Sequence, residues 1–299
     1  MNRIDYYPVQ TLLALENKVV RIGLRESFKQ SGFTDFTEIY EAGNFFKVLE
    51  EAPFDLMIIS GSIGGTSTVP MISAMRDGRL QHHPFPIVVM LLTEGDANSI
   101  GEAIAAGPDH LMVLPVAPGP MLKRIEEFAV RRNPFVVTMA YVGPDRRTAP
   151  RPGCAPAPHV TVPNPLAASI RNSPLGERQS EIDLTRLQIS TIKLQGYAGC
   201  LLSLENVIRM MFQQKAVEAG KLAFFSRCLR RIAGTLPSCF GDLCLTEADP
   251  RIMGSIADLT NGVEVITQVG LAIDRQRLDG ILAECQAVAA EFRRMIEHS

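Results

Sequence analysis

Phe54-Asp55-Leu56-Met57-Ile58-Ile59-Ser60, FDLMIIS, decides how the first half of this chain folds. A short apolar run of this kind predicts a strand buried on both faces, as in parallel sheets. It runs out into a small polar residue and then the loose stretch Gly61-Ser62-Ile63-Gly64-Gly65. In an open parallel sheet, ligands and chemistry gather at the carboxyl ends of the strands, so Ser60 stands where a reactive side chain is expected.

Working outward, the apolar runs predict further strands at Thr11–Leu15, Phe36–Tyr40, Ile87–Leu92 and Met112–Leu114, with this one at Asp55–Ile59. Between them, helical spacing predicts helices at Val19–Gln30, Gly43–Glu51, Val69–Arg76, Ala97–Ala105 and Pro118–Arg131. Val20, Leu24 and Phe28 share one face of the first helix, the spacing of a helix that packs on a sheet. Strict alternation of strand and helix predicts an α/β domain built on a five-stranded, doubly wound parallel sheet.

The chain has 299 residues, enough for two domains that each bury a core. Lys+Arg 30 against Asp+Glu 32 and a 46% hydrophobic content exclude a disordered acidic chain and a general polyanion binder. No run reaches the roughly 20 apolar residues of a membrane span, and Met1-Asn2-Arg3-Ile4-Asp5 lacks the layout of a secretory signal, so a cytoplasmic protein is expected. Six cysteines, several inside helical patterns, predict reduced, packed thiols.

Eight prolines fall between Pro144 and Pro174, which predicts an extended linker over residues 133–180. Domains are therefore expected at 1–132 and 181–299. After the linker the pattern is helical. Leu187, Leu194, Tyr197, Leu201, Leu204, Ile208 and Met211 mostly alternate steps of three and four, and Leu278, Leu282, Cys285, Val288 or Ala289, Phe292 and Met295 repeat the pattern. With helices near Ala223–Ala233 and Ile252–Ala272, this predicts an all-α bundle of about four helices.

The order of elements from about Val9 to Arg131 resembles the receiver domain of two-component response regulators, which has a flavodoxin-like sheet. By that resemblance the first strand ends in an acidic pair that helps hold Mg²⁺, the third in the phosphorylated aspartate, the fourth in Thr or Ser, and the fifth in Lys-Pro. Here Leu15 and Glu16 stand at the acidic pair, Ser60 at the acceptor, Thr93 at the threonine, and Leu114-Pro115 at the Lys-Pro step. Leu111 replaces an aromatic switch residue. Asn133-Pro134-Phe135-Val136-Val137-Thr138 and Tyr141-Val142-Gly143-Pro144-Asp145-Arg146-Arg147 resemble a tail that follows receivers in some bacterial regulators.

Phosphoryl transfer to a carboxylate needs the nucleophile, a divalent cation and a cation that holds the product. Mg²⁺ prefers oxygen ligands in octahedral array, so a site left with Glu16 alone is expected to bind it weakly or not at all. Asp55 starts the strand, about 16 Å from Ser60 at strand rise, and cannot replace the acceptor. No histidine is suggested beside Ser60 to activate its hydroxyl.

His82-His83-Pro84 reads as a solvated loop, and Cys239 and Cys244 match no common zinc signature. A histidine phosphotransfer role for the bundle is excluded, because no histidine lies between Thr161 and Glu297. Acids and bases nearly balance from Pro174 to Ser299, which argues against nucleic-acid binding, and Arg227, Arg230 and Arg231 read as a solvated helix face.

The reading is a degenerate pseudo-receiver with an added helical domain that catalyses nothing and acts by protein–protein contact. The resemblance puts the partner face at Ile104, Leu111 and Val116, and the partners as a histidine kinase, another regulator or a scaffold. A homodimer through the C-terminal helices is a further expectation. Two alternatives stay open: an active, atypical phosphoacceptor, and a regulator whose bundle binds a ligand or nucleic acid.

Overall fold

The structure is a computed structural model, and it describes residues 4–80, 82–93, 97–147, 156–243 and 250–297. Two compact units emerge, one of Met1–Val136 with Tyr141–Thr185, the other of Val137–Ala140 with Arg186–Ser299.

In the first unit, β1 (Gln10–Ala14), β2 (Asp35–Ile39), β3 (Leu56–Ser60), β6 (Ile87–Leu92) and β7 (His110–Val113) form one sheet. Its order is β2-β1-β3-β6-β7 and every pairing is parallel. The crossovers run through α1 (Lys18–Ser31), α2 (Phe45–Glu51), α3 (Val69–Arg76) and α4 (Ala97–Ala105), and α5 (Pro118–Val130) follows β7. A short 3₁₀ turn, Ala42–Asn44, leads into α2, so the predicted start at Gly43 falls in a tighter turn.

Period-two alternation divides the buried strand residues between two cores. Leu12, Met57, Ile59, Val88 and Met90 pack with Phe45, Leu49, Met71, Ile72 and Ala103 from α2, α3 and α4. Leu13, Leu56, Ile58, Val89 and Leu91 pack with Leu24, Phe28, Met121 and Ile125 from α1 and α5. Within FDLMIIS, Leu56 to Ile59 are fully buried, as expected of a strand covered on both sides.

The segment expected as a linker is largely folded. β8 (Phe135–Val137), β9 (Val142–Pro144) and β10 (His159–Val160) make a three-stranded sheet, and α6 (Pro165–Ile170) follows. Leu166 enters the same core as Leu13 and Ile58. The prolines act locally: Pro165 sits in the first turn of α6, where its missing N–H costs nothing, and Asn164 caps that turn by accepting from Ala167 N. Residues 148–155 lie outside the described residues.

A buried ion cluster fastens this segment. Asp109 sits between two guanidiniums, accepting from Arg76 at 2.8 Å and from Arg132 Nε at 2.8 Å. Arg76 also donates to the carbonyls of Gly107, Pro84 and Pro86, and Arg132 to those of Phe85 and Pro163. Both guanidiniums lie over the Phe135 ring, at 5.1 and 4.7 Å. Burial pulls Arg76 down to about 10, and Asp109 opposes that fall.

The second unit takes the rest of α7 (Leu175–Gln214) from Arg186, with α8 (Ala219–Asp242), α9 (Pro250–Val269) and α10 (Arg275–Glu297). Leu194, Tyr197, Leu201, Leu204 and Ile208 form one core with Leu229, Ile256, Val263, Cys285 and Phe292. Polar ties register the helices: Asp242 accepts from Arg186 and Ser190, and Glu205 accepts from Gln286. Cys200, Cys228, Cys239 and Cys285 are free thiols, and Cys244 lies outside the described residues. Among the described residues no helix is long and apolar enough to cross a membrane.

Candidate functional site

At the carboxyl edge of the first unit's sheet lies a pocket of about 720 Å³. Its lining includes Glu16, Ser60, Thr93 and Leu114, so four of the positions singled out in the sequence converge there. Parallel strands force this convergence, since β1, β3, β6 and β7 all end on one side.

Ser60 closes β3 half-buried, and its carbonyl accepts from Thr68 Oγ1 at 2.6 Å. Its hydroxyl makes no hydrogen bond to another described residue. Next to it Gly61 N donates to Leu91 O at 2.8 Å, and a Cβ on Gly61 would stand 2.7 Å from Leu92 Cδ2. Gly64 and Gly65, at φ 58° and 75°, turn β4 (Ser62–Ile63) back on β5 (Thr66–Ser67). The stretch expected as loose is thus a tight hairpin, and its Gly-Gly pair was the available signal.

Leu15 is 1% exposed and packs in the core with Leu13 and Leu24, while Arg21 donates to its carbonyl at 2.6 Å. Leu114 packs on the same core, and its amide donates to Leu92 O. Glu16 and Thr93 are exposed, and Pro115 follows a cis peptide bond. Glu16 and Glu102 are the carboxylates among the described lining residues, and no Lys, Arg or His is among them.

The described residues do not fit a receiver's Mg²⁺ site. Two positions that would carry a ligand and a cation are leucines, Leu15 buried in the core and Leu114 half-buried against it, and among the described residues no group of three His, Cys, Asp or Glu could hold a metal. Among the described lining residues there is also no histidine to act as a general base for Ser60. His110 opens β7 opposite Val89, toward the other edge of the sheet, and burial with Arg124 and Arg146 lowers its pKa.

Of the expected partner face, Ile104 on α4 is exposed, Leu111 on β7 packs on the α3–α4 core, and Val116 packs on the α1–α5 core. Asp55 lies where expected, at the amino edge of the sheet, but it is buried and bonded rather than idle, and sequence reasoning missed this. Its backbone joins both neighbouring strands, and its Oδ2 accepts from Gln10 N at 2.9 Å and Ser169 Oγ at 2.8 Å.

The strand order, the alternation of helices between two sheet faces and the pocket at the end of β3 match one architecture. The first unit has the receiver fold. Solved structures similar to the chain include a Burkholderia pseudomallei response regulator at 16% identity, with 38% of this chain and 64% of that chain covered and a TM-score of 0.34. Another is the Thermotoga maritima response regulator DrrB, an OmpR/PhoB homolog, at 17%, 43%, 56% and 0.37. A third is the Vibrio cholerae chemotaxis response regulator CheY4, at 18%, 40%, 98% and 0.36. The match spans less than two thirds of the length of the first two. No family model matches the chain, and no curated protein does.

Proposed function

We propose that the chain is a response-regulator-like protein of two-component signalling whose receiver works by protein–protein contact without phosphoryl transfer. The supporting observation is a Ser60 pocket lined by no described cation, with Leu15 buried in the core beside it and Leu114 half-buried in its wall. A site without a carboxylate nucleophile, a metal cradle or a product-holding cation has none of the three groups the transfer needs. Held in one state, the α4–β7 side with Ile104, Leu111 and Val116 serves a kinase, another regulator or a scaffold as a constitutive docking surface.

The second reading, an atypical acceptor, draws on the Ser60 hydroxyl lining the pocket with Glu16 and Thr93. Incubating the full chain with acetyl phosphate and Mg²⁺ separates the two. The proposal expects no phosphoryl adduct by intact mass, and partner capture unchanged in Ser60→Ala. An adduct lost in Ser60→Ala or Glu16→Gln establishes the second reading instead.

A further inference from the structure

A second pocket, of about 510 Å³, opens at the opposite, amino edge of the sheet, under α6 and the first turns of α7. Its walls are apolar, from Pro53, Pro163, Pro165, Ala168, Leu175 and Ile182, and Asp55, Arg178 and Glu181 bring charge to it. An adjoining pocket of about 400 Å³ shares Asp55 and adds Asp35. Volume, apolar walls and a few convergent polar groups are the features of a small-molecule site.

The polar groups are unevenly matched. Asp55 is 7% exposed, and both hydrogen bonds it accepts fall on Oδ2. Oδ1 has no bond to a described residue, so one oxygen of a nine-tenths buried carboxylate is left for the pocket. Arg178 is occupied: Nε donates to Ser173 O, one terminal nitrogen to Ser169 Oγ and the other to Ala168 O. Glu181, exposed at the rim, adds a second carboxylate. Acceptors therefore outnumber open donors, and a buried carboxylate oxygen is stabilised most by a charged donor.

We infer that this pocket binds a small organic cation, whose ammonium donates to Asp55 Oδ1 while an apolar or aromatic body lies against Pro163, Pro165 and Ile182. Burial raises the Asp55 pKa despite the bonds from Gln10 and Ser169 and the nearby charge of Arg178, whose own donors are spent on Ser173, Ser169 and Ala168. The alternative is a purely structural Asp55 that only ties α6 to the sheet. Such a role needs Oδ2 and leaves no use for Oδ1 or the cavity.

Tryptamine and phenethylamine, titrated into the full chain by calorimetry and amide NMR, test this, with indole-3-propionate as the charge-reversed control. Saturable one-to-one binding of an amine is expected, with the acid at least about tenfold weaker. Asp55→Asn keeps an oxygen for Gln10 and Ser169 but turns a donor toward the pocket, and is expected to weaken amine binding at least about tenfold. Gly176 is a lining residue, and a Cβ there meets nothing within 4 Å, so Gly176→Leu places a side chain beside the pocket and is expected to weaken amine binding at least about tenfold too. Should Asp55→Asn not fold, Gly176→Leu decides alone. The inference is overturned by no saturation with either amine, by equal binding of the acid, or by undiminished binding in a folded variant.

Discussion

The Ser169 hydroxyl donates to Asp55 Oδ2 at 2.8 Å, across 114 positions of the chain. Asp55 stands at the entry of β3 and Ser169 inside α6, so the contact joins the central strand to a segment beyond the receiver. Ser169 also accepts from Arg178 at 2.9 Å, which links the first turns of α7 to the same strand. Ser169→Ala leaves a buried carboxylate oxygen with one donor fewer and an Arg178 nitrogen without its acceptor. The expected loss is about 1–3 kcal/mol, measured by thermal unfolding of the full chain.

Asp109 is the anion between Arg76 and Arg132 in a cluster that is almost fully buried. Asp109→Ala strands two guanidiniums in the interior and is expected to cost about 3–5 kcal/mol. That is a large share of a margin of about 5–15 kcal/mol, so urea unfolding of the variant should begin at much lower denaturant.

Gly107 and Gly101 should respond oppositely to the same change. Gly107 holds φ +82°, and a Cβ on it would meet Val142 O at 2.5 Å, a backbone atom that cannot swing away. Gly107→Ala is expected to destabilise by more than about 1 kcal/mol. Gly101 sits in α4, and a Cβ there meets nothing within 4 Å, so Gly101→Ala should stabilise by about 0.5–1 kcal/mol. Paired denaturant curves check both signs.

A buried carboxylate and a half-buried histidine pull the pH dependence of stability in opposite directions. Burial raises Asp55, so its contribution is full below the ordinary carboxylate value and is lost as pH rises through the raised one. Asp55→Asn should therefore gain on the wild type as pH rises across that window. Burial lowers His110, with Arg124 and Arg146 adding to it, so its contribution is present above 6.5 and lost as pH falls through the lowered value. An NMR titration should place the His110 midpoint below 6.5. That a group lining a pocket costs stability at neutral pH fits a place kept for a ligand.

Much of the first unit was legible because its signals are local. Four-residue spacing in Val20, Leu24 and Phe28 and the unbroken run Leu56 to Ile59 report burial within one turn or one strand, and the structure buries Leu24, Phe28 and that run. The pocket at Ser60 was legible for a related reason, since parallel strands bring their carboxyl ends together whatever the loops do. The folded state of residues 133–147 and 156–180 was not. Proline density favours extended chain when nothing packs against it, and here Arg132, Phe135 and Leu166 find partners far away in sequence. Arg76 read as the charged end of a helix, and only Asp109, 33 positions on, makes it a buried ion.

By itself the sequence determined the alternation of strands and helices, the helical second half, and the placing of Leu15, Ser60 and Leu114 at strand ends, because each is a property of residue type and short-range spacing. Tertiary structure alone decided that Leu15 is buried in the core with Leu114 half-buried against it, that the proline-rich segment completes the first unit, and that Asp55 lines a pocket with one oxygen bonded to no described residue. Burial and hydrogen-bond satisfaction depend on groups brought together from distant positions, and spacing along the chain carries no record of them.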